Sequence, residues 1–483
     1  MGLNEWAKRK IQTWLEIVPP PIEQAVLIQR EHTRELEVIQ AQLWYQGDAS
    51  ELFQFFHQTE TNTGMFWATA PDGRKVRKIH SGLPAVIADT LAYIVKSDMD
   101  DIKAPEQWTE LEKELNFHEL VGQAVTDTLV SGDGAFKISA DTELCDYPTV
   151  EFVSGDRVDI EQTRGIVEAI TFKTRYNVKS MWYELHERYS KGRIDTVLYD
   201  SNGNPRPLST VPALAGLKSE VTFSGDFIMA VPLRFYVDKK YRGRGKSIFS
   251  GGKSQCFDAL DEVISQWIDA IRAGRVTKYI PETLIPRDPE NGSLLSVDNF
   301  GAEVVKLRGG FDEKTDRVDV SQPDIKYDAF VSTYTNALLL CLQGIISPAT
   351  LGIDVGKMSS AEAQREKKDI TGNTRNTITA ALEIQLPKLI EALLKTYDII
   401  NGEEPETYTD ISVSFGEYGA PDFDSRIESI GKAATYGIMS TESQVEELWG
   451  GSKDDEFKAA EVQRIKTEKG IMAASEPSVG GGP

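Results

Sequence analysis

The chain has 483 residues, more than one hydrophobic core usually organises, so about two to four domains are expected. Hydrophobic residues make up 40% and charged residues 27%, the composition of an ordinary globular protein. The formal net charge of −22 argues against a protein that grips nucleic acid over a large surface, because phosphates are bound by lysine and arginine. It is compatible with a protein past which nucleic acid slides without sticking.

Cysteine and histidine are sparse, and they predict neither a disulfide framework nor a metal site. The three cysteines, Cys145, Cys256 and Cys341, are odd in number and far apart, which is typical of a reducing compartment. The five histidines show no H-x-x-x-H or H-x-H spacing. The longest uncharged stretch, residues 329–353, is too polar for a membrane span. We therefore expect no metal, no cofactor, no secretory signal and no membrane span.

The first half of the chain has a mixed helix and strand pattern. Residues 1–46 look helical, with prolines at 19–21 separating a short amphipathic helix from a longer one over 23–45. Helices are predicted over 77–95 and 116–129. Short alternating strands follow, separated by Gly, Asp and Asn clusters. They are Ala135–Ser139, Val150–Val153, Ile166–Lys173, Met181–Arg188 and Ile194–Tyr199. This order predicts an α+β domain with an antiparallel sheet.

Residues 247–275 carry the clearest helical pattern of the chain, and within this stretch Gly251 and Gly252 precede the helix and Gly274 follows it. One stripe is apolar and consists of Phe257, Leu260, Val263, Ile264, Trp267, Ile268 and Ile271. A roughly opposite face is polar and consists of Asp258, Asp261, Glu262, Ser265 and Asp269. Two interpretations stay open at this point. The helix either lies on the surface of a globular core or lines a channel with a solvated acidic face.

The second half predicts a stalk followed by a long helix. Strand patterns at 276–280, 303–307 and 317–320 form a small β-rich insert, and an amphipathic helix over 325–345 returns from it. Residues 346–358 contain Pro348, Gly352 and Gly356 and cannot continue that helix. A capping box of Ser359 and Glu362 begins a helix to about residue 397, which Gly372 and Pro387 should bend or interrupt.

The end of the chain is predicted to be a strand followed by helices. Residues 408–415 alternate like one strand returning to the earlier sheet. Residues 422–470 are predicted to be helical with breaks at glycines, and residues 475–483 to be disordered.

Few residues form a recognisable chemical motif. The stretch 243–247, GRGKS, resembles the end of a phosphate-binding loop, but Lys240 stands where the first glycine is needed. The densest basic cluster consists of Lys239, Lys240, Arg242, Arg244 and Lys246. It is either a solvated turn or a contact with a phosphate backbone or an acidic neighbour. Asp258, Asp261 and Glu262 could also serve as the acid and base groups of a soluble α+β hydrolytic enzyme, although no companion motif supports them.

Taken together, several stretches resemble the portal proteins of long-tailed, siphovirus-type bacteriophages. They are LWYQGDASELFQFF (43–56), IHSGLPAVIADTLAYIV (79–95), GKSIFSGGKSQCFDALDEVISQWIDAIRAG (245–274), SPATLGIDVGKMSSAEAQREKKDITGNTRNT (347–377) and SFGEYGAPDFDSRIESIGKAATYGIMSTESQVEELWG (414–450). They span most of the chain in the order of that family. The residues before position 41 and the insert at 276–324 carry little of the resemblance.

The resemblance implies an α+β, multidomain ring subunit. The implied parts are a wing (1–245 with a returning strand in 405–421), a first stem helix (246–275), a clip (276–324), a second stem helix (325–345), a tunnel loop (346–358), a long bent helix (359–404), a crown (422–474) and a disordered tail (475–483). It further implies a dodecameric, non-enzymatic ring at one capsid vertex, assembled in the bacterial cytoplasm and retained in the virion. Double-stranded DNA would pass through it during packaging and ejection.

The resemblance also implies partners and channel residues. The expected partners are the terminase, a head–tail adaptor bound through the clip, and the major capsid and scaffold proteins. Candidate residues facing the DNA channel are Lys357, Asp354, Asp258, Asp261, Glu262 and Asp269.

Overall fold

The computed structural model describes residues 33–59, 64–69, 77–142, 145–281, 285, 287, 289, 292, 302–307, 319–321, 325–353, 361–416, 423–436, 438–449 and 455–468. The chain divides into two compact units, Met1–Ser97 with Asp101–Ser414, and Asp98–Asp100 with Phe415–Pro483. Helices and antiparallel sheets are both present, so the predicted α+β class is confirmed. The finer division into wing, stem, clip and crown stays a prediction.

The N-terminal helices of the first unit form around buried aromatic and aliphatic side chains. They are α1 (Arg34–Gln46), α2 (Ala49–Thr59), α3 (Leu83–Ser97), α4 (Glu106–Glu114) and α5 (Phe117–Ser131). Thr33 caps α1, and Gly47 ends it in the left-handed region at φ 73°. The helix predicted from residue 77 begins only at Leu83, because Pro84 is tolerated in the first turn of a helix and not in its interior. Helices α2 and α4 were not predicted.

Two antiparallel sheets hold the middle of the first unit. A three-stranded sheet has the order β10 (Ala230–Arg234), β2 (Asp133–Ser139), β3 (Thr149–Ser154). In a larger sheet of six strands, the order of neighbouring strands is β4 (Val158–Thr163), β5 (Ile166–Val178), β6 (Met181–Ser190), β7 (Arg193–Asp200) and β8 (Pro205–Arg206). The sixth strand, β9 (Glu220–Thr222), also pairs with β7. The predicted strands are therefore present with slightly wider bounds. The strands β4, β8, β9 and β10 were missed.

An antiparallel pair of helices follows, joined through a β-module. Helix α6 (Lys253–Ala273) leads into β11 (Val276–Pro281), and α7 (Tyr327–Leu342) returns. In the module β11 pairs in parallel with β12 (Ala302–Leu307) and in antiparallel with β13 (Asp319–Ser321). At the base of the pair, Lys253 Nζ donates to the carbonyl oxygens of Leu340 (2.8 Å) and Gln343 (2.7 Å) in the last turn of α7.

Aromatic rings from both helices pack against each other near the end of the pair that carries the β-module. Trp267 of α6 stacks on Phe330 at 6.0 Å between ring centroids, and Tyr327 and Tyr334 lie at 5.9 and 6.4 Å from the same ring. We call α6, α7 and the module between them the hairpin. Its two helices and its strands agree with the sequence-based prediction.

Helix α8 (Ala361–Ile400) is continuous through Gly372 and Pro387, so neither residue interrupts it. The other predicted outcome, a bend in this helix, stays a prediction. Buried leucines on both sides of Pro387, Leu386 and Leu389, keep packing across it. Ser359, the predicted cap, lies outside the described residues. Strand β14 (Ser412–Phe415) pairs with β1 (Met99–Lys103) in a two-stranded sheet.

The second unit contains the helices predicted for the end of the chain. They are α9 (Phe423–Thr435), α10 (Thr441–Trp449) and α11 (Asp455–Glu468). Trp449 packs edge-on against Phe457 at 6.0 Å, which joins α10 to α11. Residues 475–483, predicted to be disordered, lie outside the described residues.

Candidate functional site

The acidic face of α6 binds other parts of the first unit. Asp258 is 6% exposed, and its carboxylate accepts the backbone N–H groups of Phe66 (2.8 Å) and Trp67 (2.9 Å). Burial raises the pKa of the Asp258 carboxyl, and these two N–H groups oppose the rise. The side chain therefore fixes a short segment that lies about 190 residues earlier in the chain.

Asp261 is the most enclosed residue of this face, with 0% exposure. Its carboxylate accepts from Trp67 Nε1 (3.1 Å), His80 Nδ1 (2.7 Å) and the backbone N–H of Ser81 (2.9 Å). One turn later, Ser265 Oγ accepts the Ile79 N–H at 3.0 Å. We call Asp258, Asp261 and Ser265, with the segments 66–67 and 79–81 that they bind, the α6 latch.

Aromatic rings enclose the latch. Trp44 lies 5.5 Å from Phe56, 5.6 Å from His80 and 5.7 Å from Phe257 between ring centroids. The Trp44 Nε1 donates to Ser254 Oγ at 3.0 Å, so the first turn of α6 is also bound to α1. Carboxylates in such a low-dielectric site remain there only because N–H donors surround them.

Lys78 closes the outer side of the latch. Its Nζ donates to the carbonyl oxygens of Phe66, Trp67 (3.1 Å) and Thr69 (2.8 Å), and it lies over the Phe53, Phe66 and Trp67 rings at 4.8–5.7 Å. Burial lowers its pKa to about 8, although the nearby carboxylates of Asp258 and Glu262 act in the opposite direction. Burial also raises the pKa of the Glu262 carboxyl.

The expectation of a solvated acidic face is thus wrong for Asp258, Asp261 and Ser265. These three side chains are buried because they satisfy N–H donors of distant segments. Glu262 and Asp269 on the same helix are half-exposed. The donors, above all the Trp67 indole and His80, were not singled out in the sequence, because they lie about 180–190 residues before α6.

The predicted basic cluster divides into internal and external residues. Residues 237–246, closed by a bridge between Val237 and Gly245, form what we call the basic loop. Arg244 donates twice to the fully buried Asp133, with both distances 3.0 Å, and Lys240 pairs with Glu37. These two cations are therefore internal ion-pair partners. Lys239, Arg242 and Lys246 are exposed, and none has an ion pair with a described residue.

The predicted tunnel loop is only partly described. Ile346 and Ser347 are buried, and the Ser347 N–H donates to Thr371 Oγ of α8 at 2.9 Å. Residues 348–351 form one turn of 3-10 helix. The first part of this segment therefore connects α7 to α8 through a packed contact. Asp354 and Lys357, the candidate channel residues of the loop, lie outside the described residues.

The described part of the chain lacks both a cluster of metal-binding side chains and a membrane-spanning helix. No group of three or more His, Cys, Asp or Glu side chains there is placed to hold a metal ion. Within the same ranges, no helix combines the length and apolar character that crossing a bilayer requires.

Comparison with known proteins gives distant structural likenesses. No protein-family model matches the chain, and no curated protein matches it. The chain is similar to a solved structure described as the neck of a native gene transfer agent particle computed with C12 symmetry. The TM-score is 0.38 and the sequence identity is 13%, and the match covers 77% of this chain and 91% of that chain. The virion of a native gene transfer agent particle is similar with a TM-score of 0.35 and 11% identity, covering 94% and 98%. Scores this low carry no argument about function.

Proposed function

We propose that this chain is the repeating subunit of a portal-type ring at one vertex of a virus-like capsid, through which double-stranded DNA passes. The observation that carries the proposal is the hairpin, both of whose helices leave apolar side chains exposed. The sequence resemblance described above supports the same assignment. A dodecamer in the virion, assembled in the bacterial cytoplasm, is part of this proposal.

The exposed faces of the hairpin are apolar and suited to contact with another protein surface. From Ala329 to Leu342, α7 contains no charged side chain, although 27% of the whole chain is charged. Ile271 of α6 is 52% exposed, and Tyr327 and Leu340 of α7 are 61% and 53% exposed. Two antiparallel helices bury side chains only along the seam between them, so another surface has to cover these faces. A second copy that presents a different surface makes a head-to-tail contact, which closes into a ring or grows into a filament.

The charge of the chain suits a channel for DNA. A net charge of −22 per copy, repeated around a ring, repels phosphates and keeps the duplex from adhering. Because Asp258 and Asp261 are buried, we propose Glu262, Asp269, Asp354 and Lys357 as the channel-facing candidates that remain. By the same resemblance, residues 276–324 would bind the terminase and then the head–tail adaptor, and the wing would face the capsid and scaffold proteins.

The alternative, a hydrolytic enzyme, loses two of the three carboxylates on which it depended. Asp258 and Asp261 already accept two and three hydrogen bonds from protein donors. A carboxylate that is this deeply buried, with protein N–H groups already bound to its oxygens, is poorly placed to exchange a proton with a substrate. We therefore propose a structural role for the latch and no catalytic role for the chain.

Electron microscopy and native mass spectrometry of the purified full chain test the proposal. We expect closed rings, and we expect Leu340→Glu on the exposed face of α7 to reduce the ring fraction at least tenfold. Ile166→Glu is the matched control, because Ile166 is 70% exposed on β5 outside the hairpin. A wild-type chain that stays monomeric at every concentration, or an equal effect of the two variants, would contradict the proposal.

A further inference from the structure

The basic loop is a local reversal of charge in an acidic protein. Residues 227–257 contain seven lysines or arginines and one acid, Asp238, whereas the chain as a whole has a net charge of −22. Inside the loop, Lys239, Arg242 and Lys246 project from the surface without an ion pair to a described residue. Lys239 and Lys246 also line an open cleft of about 570 Å³ beside the loop. Uncompensated cations around a concave surface are suited to an acidic partner.

A cluster of negative charge, opposite in sign to the basic loop, lies after α8. Residues 403–410, EEPETYTD, have neither helix nor strand, and we call them the acidic segment. Their four carboxylates, Glu403, Glu404, Glu406 and Asp410, are exposed, and none has an ion pair with a described residue. No lysine or arginine occurs between positions 395 and 426, so the negative charge is uncompensated along the chain as well.

The acidic segment is held in one conformation by a buried carboxylate. Asp398 is 4% exposed, and both of its carboxylate oxygens accept the Tyr408 hydroxyl at 3.0 Å. The same side chain accepts the Glu406 N–H at 3.2 Å, and its backbone carbonyl accepts the Glu403 N–H at 2.9 Å. Burial and these contacts raise the pKa of Tyr408, so its hydroxyl stays protonated as a donor. An ordered segment loses less entropy on docking than a flexible one.

We infer that the basic loop of one copy docks on the acidic segment of the next copy, an inference that rests on the proposed ring. The two features are different segments of the same chain with opposite charge, and a head-to-tail contact joins two different patches of identical chains. Nucleic acid is the less suitable partner for the loop, because a duplex lying along it would face the remaining charge of a −22 protein. Exposed ion pairs are individually weak, so the contact sets the register and the salt dependence of assembly.

Charge reversal tests the inference with two variants of the full chain. The loop variant carries Lys239→Glu, Arg242→Glu and Lys246→Glu. The segment variant carries Glu403→Lys, Glu404→Lys and Glu406→Lys. The control carries Lys113→Glu and Lys218→Glu, which are also exposed lysines. Ring formation is measured by native mass spectrometry and sedimentation from roughly 0.05 to 0.5 M salt, with circular dichroism to confirm folding.

Each reversed variant alone should assemble about tenfold more weakly than wild type, whereas the control should not change. An equimolar mixture of the loop variant and the segment variant should assemble again, because both kinds of contact between alternating copies are then attractive. Reversed variants that form rings like wild type would overturn the inference and leave the proposed ring standing. A wild-type chain that never forms rings would overturn both.

A third arm separates nucleic acid from protein as the partner. Binding of a short fluorescent DNA duplex is followed by anisotropy for wild type and for the loop variant. If the loop variant assembles normally but loses salt-dependent DNA binding, then the loop serves nucleic acid and the inference is wrong. Restored assembly in the mixture with no change in DNA binding supports it.

Discussion

Replacing Asp261 by alanine should destabilise the first unit strongly, because Asp261 is the centre of the α6 latch. The side chain is fully buried and accepts three hydrogen bonds, from Trp67 Nε1, His80 Nδ1 and the Ser81 N–H. Alanine leaves all three donors without a partner in a site that water does not reach.

The expected magnitude follows from those contacts. A buried donor without an acceptor costs about 1–3 kcal/mol, and removing one member of a buried polar pair costs about 3–5 kcal/mol. We therefore expect Asp261→Ala to lower the free energy of unfolding by about 3–5 kcal/mol. Asp261→Asn keeps one acceptor oxygen and should lose less. Asp269→Ala, a half-exposed position on the same helix, should stay within about 0.5 kcal/mol of wild type.

Urea unfolding followed by tryptophan fluorescence measures the difference, since Trp44 and Trp67 both lie at the latch. All variants are compared at one low protein concentration, because assembly would otherwise add to the apparent stability. If Asp261→Ala and Asp269→Ala unfold at the same urea concentration, then the hydrogen bonds of Asp261 do not hold the latch. The same result would restore Asp261 as a candidate for a solvated channel face.

Two further predictions concern buried cations. Arg244→Ala should lower the free energy of unfolding by about 1–3 kcal/mol in urea, because it removes two hydrogen bonds from the fully buried Asp133 carboxylate. The exposed control Arg242→Ala should change it little. Lys78 has a folded-state pKa of about 8 against roughly 10.4 when unfolded, so the unfolded chain binds more protons between these values and stability should rise with pH there. Below pH 8 both states are protonated and the cost of burying the charge is present in full. Lys78→Met should remove that rise, and equal pH profiles of both proteins would refute the assignment.

The secondary structure of this chain was predictable where local patterns were strong. The apolar stripe of α6 and the strands after Asp133 follow spacings of 3.6 and 2 residues, and these spacings reappear as helix and strand. Helix α2 was missed because it lies only two residues after the glycine that ends α1. Of the two outcomes predicted at Pro387, a bend or an interruption, the interruption is absent, because tertiary packing on both sides outweighs the local cost of a proline.

The role of the acidic face was not predictable from the same spacing. Periodicity places Asp258, Asp261, Glu262 and Asp269 on one side of a helix and carries no information on what covers that side. The covering segments lie about 180–190 residues away in sequence, and their donors belong to an indole, an imidazole and backbone N–H groups. The sequence also did not show which residues of the apolar stripe are buried and which of the basic cluster form internal ion pairs, and both sets also contain exposed residues in the structure.

The buried latch changes the electrostatic argument for a DNA channel. Two of the four carboxylates of α6, Asp258 and Asp261, are buried and accept hydrogen bonds inside one copy, so their oxygens are not presented at the surface. Repulsion of phosphates would then depend on Glu262, Asp269 and other exposed acids, each repeated once per copy around the ring. Asp258 and Asp261 instead bind α6 to the segments 66–67 and 79–81, which lie between α2 and α3. In the proposed ring, neighbouring residues of one helix would therefore have separate roles: Asp258 and Asp261 would bind α6 within its own copy, and Glu262 and Asp269 would face the channel.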